Sequence, residues 1–574
     1  MINLITIDNY LHNIVCSRVI IGVQSGDMAE SGSSAQTRQT LFPLPGEALV
    51  RQRGPMSLGI TVYDGAGCIG GNKIYLSDGK DGIFLDFGKN FGKYGKFYEE
   101  FLKSRTTRGI HDLLTLGLIP RLNIYRNDLI PQDVSLDAYP KLPISAVLLS
   151  HAHLDHCGNI GLLEQSVPVF STPMTAAILK GYQDTGKSTT EADVAYTSER
   201  KPHADDPLYI ESDRGRCYLG KEFCLTTHPP EKFLEFLSWR PGQDGKNAKK
   251  LEPGCCCTME EHPLPFKISA CDVDHSLYGA CGFLIEGEKT VAYTGDFRLH
   301  GRNEAKTREF VRRAKGADIL ITEGTRVKDA GPEDGSRVTE DSVCETCRGA
   351  VEESKGLVIA DFSARNFERL EAFREIAART GRELVVPARD LYMLYALSTV
   401  DGVKRWEGVR VYDEIVDHRK RKWEAELVIP LAGDEYVKHD AIRTDPDGFI
   451  LCFSFFDMNH LLDIKPDGGS YLYSSCEPFS EEMEIDFRRL WQWLDFFGFE
   501  PCGFSVRKNE AGDMEIDMDK HFHASGHASG ADVAWVIDEI DPGVIIPVHT
   551  ENTGWFDENF DGVIVPEEGE RYEV

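Results

Sequence analysis

The sequence predicts an α/β protein in which a second α/β unit interrupts the first. Short apolar runs alternate with loops and helix-period segments from about residue 58 onward. A histidine-rich segment at residue 151 is answered by others only after residue 520, as though the chain leaves a first domain and returns to it. Length agrees, because 574 residues exceed one ordinary core.

In order, residues 1–55 read as a flexible N-terminal extension: SGSSAQTRQ (31–39) is small and polar, PLPG (43–46) punctuates it, and Met28 or Met56 is an alternative start. Residues 56–329 read as the first part of the first domain. GITVYD (59–64), NKIYLS (72–77) and GIFLDFG (82–88) are strand-like, with Asp86 at a strand end. A long segment at 89–140 holds a short helix ending at Pro120, and AVLLS (146–150) is a strand leading into the histidines, with GNIGLLEQ after them read as a helix. Residues 187–265 are charged and loop-rich, an elaboration closed by KFLEFLSW and a CCC run at 255–257. Strands then resume, placing His275 and Asp296 in turns and Glu323 at the end of ADILITEG (317–324). Residues 330–510 read as the inserted domain, with helices in SVCETCRGAVEES, ARNFERLEAFREIAARTG and YMLYALSTV. Its strands are GLVIADFS, ELVVPA, VRVYDEIV, GFILCFS and SYLYSS. Residues 511–574 return to the first domain through HFHASGHASG (521–530) and VIIPVHTEN (544–552).

The 41% hydrophobic and 27% charged shares are ordinary for a soluble globular chain. No apolar run approaches the roughly 18 residues that cross a bilayer, and Asp8 and His12 interrupt the start of any signal sequence. The expectation is a cytoplasmic protein, without a membrane partner, whose 15 cysteines are mostly reduced. Cys344-x-x-Cys347 has no second pair at a useful spacing and reads as spare thiols on a helix rather than a redox or zinc pair. A net charge of −30 argues against coating nucleic acid through a general positive field, though a local positive channel stays open. DHRKRK (417–422), beside Trp423, reads either as a solvated helix start or as a nucleic-acid contact.

The chemistry lies in VLLSHAHLDH. A short apolar strand that ends at a turn puts His151, His153, Asp155 and His156 at the mouth of a core. A lone histidine is commonly a hydrogen-bonded surface or core residue, but three imidazoles this close repel one another on protonation. Two divalent metal ions account for them: His151, His153 and His275 at one site, Asp155, His156 and His549 at the other, Asp296 bridging. Imidazole and carboxylate suit Zn2+ and tolerate Mn2+. Such a pair deprotonates a shared water at neutral pH for attack on phosphorus or a carbonyl. Asp86 is expected behind the ligands, accepting a hydrogen bond from the far nitrogen of a histidine or from the motif backbone.

HAHLDH, the His275 turn and TGD (294–296) resemble the metallo-β-lactamase fold of binuclear metal hydrolases. Glu323 in ITEGT, His527 in HASGHA and His549 in PVHTE resemble the three extra motifs of its β-CASP branch, whose members process nucleic acids. The likeness is strongest to the ribonuclease J group and spans roughly residues 56–574, with 187–265 departing from it. It implies an αββα sandwich with an inserted α/β β-CASP domain. It also implies a metal-dependent phosphodiesterase acting on single-stranded RNA, or DNA, through a hydroxide bridging two ions, as an exonuclease from the 5′ end with an endonuclease mode left open. Asp155 and Asp296 would then serve the reaction at the ions, His527 would protonate the leaving oxygen, and Glu323 would hold His527. His523, Ser525 and Gly526 would border a terminal phosphate pocket. Arg365, Asn366 and Arg369 would hold the RNA backbone or simply form a solvated first turn. A homodimer is also implied. PVHTEN departs from the usual PVHGE, and the 25 residues after His549 are strongly acidic. Two other readings use the same residues: a hydrolase of a small ester, thioester or cyclic phosphate, and a non-catalytic scaffold of an RNA-processing complex. The scaffold fits less well, because all seven ligand candidates are present.

Overall fold

The apolar runs at residues 59–322 and 544–573 form two sheets that face each other. In the first, Gly59–Asp64, Lys73–Ser77 and Gly82–Leu85 make an antiparallel meander. Ala146–Leu148, Val169–Ser171, Phe223–Leu225 and Cys256–Thr258 then add in parallel, and Arg571–Glu573 pairs with the opposite edge, giving eight strands. The second sheet has five strands: Lys267–Asp272, Cys281–Glu286, Thr290–Tyr293, Ile319–Thr322 and Val544–Pro547. Every second side chain points to the same face of a strand, so Ile60, Ile74, Leu85 and Leu148 meet Phe283, Ile285, Ile319 and Ile546 in one buried layer between the sheets. The outer face of the second sheet is covered by the helices Glu304–Ala314 and Gly530–Ile540 through Phe310, Val311, Val533 and Ile537. That of the first packs Phe84, Val147 and Val169 with Ile178 and Leu179 of the helix Pro173–Thr185. The order is helix, sheet, sheet, helix. This computed structural model describes residues 58–99, 101–187, 189–329, 337–363, 365–416, 420–476, 481–508 and 514–574. The expected extension at 1–55 and residues 417–419 of the basic run lie outside the described residues.

Ile319–Thr322 and Val544–Pro547 are paired neighbours although more than two hundred residues separate them. Between them the chain builds a seven-stranded parallel sheet: Tyr436–Val437, Val409–Tyr412, Glu383–Val386, Phe449–Leu451, Leu357–Asp361, Gly469–Tyr473 and Phe499–Cys502, in spatial order. Strands covered on both faces read as continuous apolar runs, as LVIAD and FIL do. The helices Phe367–Thr380 and Ala388–Asp401 pack on one face, and Glu481–Phe497 contributes Phe487, Leu490 and Leu494 to the other. Residues 55–574 nevertheless form one compact unit, with a core continuous from Ile178 to Leu394.

Two sequence expectations are corrected here, and two elements are added. Residues 187–265 are more than a loop-rich elaboration: Phe223–Leu225 and Cys256–Thr258 extend the first sheet, and Tyr196–Ser198, Tyr218–Gly220 and Leu251–Glu252 form another. Strands of two or three residues are too short for alternation to show. GNIGLLEQ contains only the 3-10 turn Ile160–Leu162, since Gly158 and Gly161 weaken a helix and Ile160, Leu162 and Leu163 are all buried, leaving no polar face. The helix Glu481–Phe497 and the hairpin Phe504–Lys508 with Met514–Met518 were not foreseen. Cys344 and Cys347 are buried free thiols on the helix Glu340–Glu353. Among the described residues no helix is long and apolar enough to cross a membrane.

Candidate metal centre

The strand Ala146–Leu148 delivers His151 and His153 to the edge of the sandwich, and one helical turn, Leu154–Cys157, lifts Asp155 and His156 beside them. That turn is pressed against the neighbouring loop, where Phe87 N–H donates to the His156 carbonyl at 2.8 Å. A Cβ on Gly88 would lie 1.6 Å from the Asp155 carbonyl oxygen, so only glycine fits there.

His151, His153 and His275 converge. His153 Nδ1 lies 3.0 Å from His151 Nε2 and 3.1 Å from His275 Nε2. The other nitrogens of the outer two are engaged, His151 Nδ1 with Ser150 Oγ at 3.0 Å and His275 Nδ1 with the Gly526 carbonyl at 2.6 Å. Both Nε2 atoms are thereby aimed at the shared space. Asp155, His156 and His549 form a second group, with His549 Nε2 3.2 Å from Asp155 Oδ2 and the His156 and His549 rings stacked at 5.0 Å. Asp296 faces both groups. Its Oδ2 lies 3.0 Å from His156 Nε2 and 3.7 Å from both His151 Nε2 and His549 Nε2.

The carboxylate of Asp86 sits behind this ring. It accepts from His156 Nδ1 at 2.7 Å, from Ser150 N–H at 2.7 Å and from the Tyr293 hydroxyl at 2.5 Å. Asp86 and His549 both have left-handed backbone, φ 57° and 52°, which non-glycine residues adopt at a cost. Thr325 Oγ1 holds His549 Nδ1 at 2.9 Å.

The electrostatics suit cations. Burial, reinforced by neighbouring imidazoles, keeps His151 and His275 well below the usual histidine range, and burial pushes His153 down to about 3. These three are therefore neutral lone-pair donors at pH 7. Burial opposes ionisation of Asp155 and Asp296, but His156 and its neighbours still hold both carboxyls well below their ordinary range. At the centre the buried Asp296 Oδ1 has no hydrogen-bond partner, and the buried His156 Nε2 meets Asp296 Oδ2 at 3.0 Å without hydrogen-bond geometry. Buried polar atoms left this way are costly, and a cation between the two groups would satisfy them. The donor set fits two divalent ions.

Glu323 ends the strand Ile319–Thr322 and is buried; its Oε2 accepts from His527 Nδ1 at 2.9 Å, and its Oε1 accepts from Phe297 N–H at 3.0 Å. His527 lies between the two groups, its ring 5.4 Å from His275 and 5.5 Å from His549. Burial alone would lower its pKa, but Glu323 and Asp296 raise it to about 9. Ser525 Oγ accepts from His527 N–H at 3.2 Å, Gly526 supplies the carbonyl on His275, and His523 Nδ1 lies 3.4 Å from the Ser474 carbonyl.

The expected RNA-holding trio is placed differently. Asn366 is buried and caps the helix Phe367–Thr380 by accepting from Arg369 N–H at 3.0 Å. Arg369 is fully buried, bonded to Glu340 Oε2 at 2.7 Å and to the Phe522 carbonyl at 3.3 Å. Neither is a solvated first turn, and neither reaches the open face. Arg365 alone stays partly exposed, its guanidinium 3.9 Å above the Tyr182 ring and donating to the Ala152 carbonyl at 3.1 Å. The sequence reading also missed the buried Arg298, which pairs with Asp274 at 3.3 Å, with Glu340 at 2.7 Å and with Glu368, and donates to the Ser525 carbonyl. Two arginines thus anchor the HFHASG loop from below.

A model of the metallo-β-lactamase superfamily matches residues 127–170. Over 453 residues the chain is 23% identical to ribonuclease J of Pyrococcus abyssi, spanning 77% of this chain and 78% of that protein. Over 313 residues it is 21% identical to ribonuclease J of Methanocaldococcus jannaschii, spanning 53% of this chain and 57%, just over half, of that protein. The crystal structure of a protein of unknown function from Enterococcus faecalis V583 superposes with a TM-score of 0.60 at 21% identity, covering 90% of this chain and 100% of that one. The chain has the metallo-β-lactamase fold. It is distantly related to ribonuclease J, and its fold and clustered ligand candidates support a metal-dependent hydrolase.

Proposed function

We propose that the protein is a ribonuclease J-like phosphodiesterase of the β-CASP type, cutting single-stranded RNA from its 5′ end. The observation that carries this reading is the Glu323–His527 pair beside Asp296: a hydrogen-bonded imidazole stands next to the carboxylate that faces both groups of ligand candidates. His151, His153 and His275 would hold one divalent ion and Asp155, His156 and His549 the other, with Asp296 shared. When bound, such ions supply an acidic water and positive charge opposite a phosphate. Glu323 fixes the His527 tautomer by accepting from Nδ1, which leaves Nε2 to hand a proton to the departing oxygen. Ser525 and Gly526 orient that histidine and His275 through the same short loop. Asp86 keeps His156 Nδ1 occupied, so that Nε2 points toward Asp296.

A second reading, hydrolysis of a small ester, thioester or cyclic phosphate, is favoured by the net charge of −30 and by the burial of Asn366 and Arg369. One assay separates the two. Protein loaded with Zn2+ or Mn2+ receives end-labelled single-stranded RNA bearing a 5′-monophosphate or a 5′-hydroxyl, beside His153→Ala and His527→Ala variants. Mononucleotides released from the 5′-monophosphate RNA, abolished by His153→Ala and slowed about 10²–10⁴-fold in kcat by His527→Ala, are expected. Metal-loaded protein that leaves both RNAs intact while cleaving a small phosphodiester or thioester would contradict the nuclease reading.

A further inference from the structure

Far along the first sheet from the histidine centre, its edge carries a second group of metal-type donors. The edge strand Cys256–Thr258 pairs in parallel with Phe223–Leu225, in the register Phe223↔Cys256 and Cys224↔Cys257. Phe223 N–H donates to the Cys255 carbonyl at 3.0 Å, which sets the residue before each strand beside its counterpart. Side chains alternate between faces along a strand, so Cys255 and Cys257 share one face while Cys256 takes the other. The donor atoms of Glu222, Cys255 and Cys257 all lie within 4.8 Å of one another. On the next strand inward, in register with Cys257, Cys224 brings its Sγ to 3.4 Å from that of Cys257 and is the candidate for a fourth ligand.

We propose that Glu222, Cys224, Cys255 and Cys257 form a separate site for a soft divalent ion of the zinc class. Three thiols and one carboxylate select zinc over manganese or magnesium by softness. A tetrahedral ion with Zn–S bonds of about 2.3 Å holds its sulfurs roughly 3.8 Å apart, close to the 3.4 Å seen between Cys224 and Cys257. A disulfide needs an S–S distance near 2.05 Å and would leave Cys255 and Glu222 without a role. His262, returned to the cluster by the 3-10 turn Met259–Glu261, borders it: its Nε2 lies 3.7 Å from Glu222 Oε1, and its buried Nδ1 has no hydrogen-bond partner. A buried nitrogen without a partner, on the histidine that borders Glu222, is a polar atom left to be satisfied.

The position gives the ion a structural task. Cys256–Thr258 is a three-residue edge strand at the end of the segment that leaves the sheet after Leu225 and makes the helix Glu231–Ser238. So short a strand gains little from its ladder alone, and an ion shared with Glu222 and Cys224 ties it to the next strand inward. The inference does not depend on the reaction at the histidine centre.

Co2+ tests it through a signature that histidine and aspartate cannot give. Full-length protein, reduced and loaded with Co2+, is expected to show thiolate-to-cobalt charge-transfer absorption in the near ultraviolet. The band should be lost in Cys255→Ser/Cys257→Ser, fall by about a third in the single variant Cys255→Ser, whose residue is exposed, as one of three sulfurs is removed, and persist in Asp296→Ala. Zinc bound per chain should fall by one equivalent in the double variant. Absence of the band from folded wild-type protein, or a band that survives the double substitution, would overturn the site. So would a Cys224–Cys257 disulfide found by mass spectrometry in protein that takes up no cobalt after reduction.

Discussion

At the histidine centre the buried Asp296 Oδ1 has no hydrogen-bond partner and His156 Nε2 faces Asp296 Oδ2 without hydrogen-bond geometry, although imidazoles and carboxylates crowd around them. Around Arg298 and Arg369, one layer deeper, both guanidiniums are met by Asp274, Glu340, Glu368 and loop carbonyls, and a single oxygen of Asp274 lacks a partner. Both regions bury charge, which is expensive, but they compensate it differently. The arginine network closes on itself and fixes the HFHASG loop by holding the Phe522 and Ser525 carbonyls. The histidine centre leaves Asp296 Oδ1 and His156 Nε2 unsatisfied among clustered lone-pair donors, as a place for an ion requires. Proton occupancy completes the balance in the network. Burial pushes Glu368 up to about 7, while Arg369 and Arg298, against burial, bring Glu340 down to about 2.

Breaking the closed network should have the largest effect on stability. Glu340→Ala leaves Arg298 and Arg369 short of a shared carboxylate, and a loss of about 3–5 kcal/mol is expected for a buried pair cut on one side. Urea unfolding followed by fluorescence measures it; a loss under about 1 kcal/mol would mean that the network is no firmer than a surface pair. At the open centre, Asp86→Ala removes the acceptor of His156 Nδ1 while keeping every ligand candidate, and metal affinity should fall about 10–100-fold. Competition titration against a chelator reads this directly, and an unchanged affinity would detach Asp86 from the ligands.

The smallest effect is a pH dependence. An acid whose folded pKa is raised favours the fold in its protonated form, so the Glu368 contribution is fully present below its unfolded pKa of about 4.3. It is lost as pH rises through about 7. Glu368→Gln keeps a neutral partner for Arg298 at every pH, so its urea midpoint should decline less than that of the wild type between pH 5 and pH 8. Parallel declines would show that Glu368 stays ionised throughout.

The two regions also differ in how far they were legible in the sequence. All seven ligand candidates announce themselves by strand-end position: His151, His153, Asp155 and His156 are local to one turn, and His275, Asp296 and His549 each follow a strand. Their partners Ser150, Tyr293 and Thr325 carry no signal, because each acts only where two distant segments meet. The arginine network was invisible for the same reason: Asp274, Arg298, Glu340 and Arg369 come from four separate elements, and only the fold makes them adjacent. Asn366, which the sequence leaves open between an RNA contact and a solvated first turn, is a buried helix cap, a position that Asn before an amphipathic run favours. The alternation of Cys255 and Cys257 was present in the sequence, but Glu222 and Cys224 join them only through a parallel register that no local pattern specifies. Long parallel strands such as Leu357–Asp361 were recognisable, whereas the three-residue strands of 187–265 were not.

The central claim is that one centre holds two divalent ions joined through Asp296. Electron paramagnetic resonance of protein titrated with Mn2+, which the thiol site disfavours, tests it most directly. The account predicts two Mn2+ per chain with an exchange-coupled signal, and loss of that coupling in Asp296→Ala. A plain six-line spectrum from isolated ions, or saturation at one Mn2+ per chain, would contradict it.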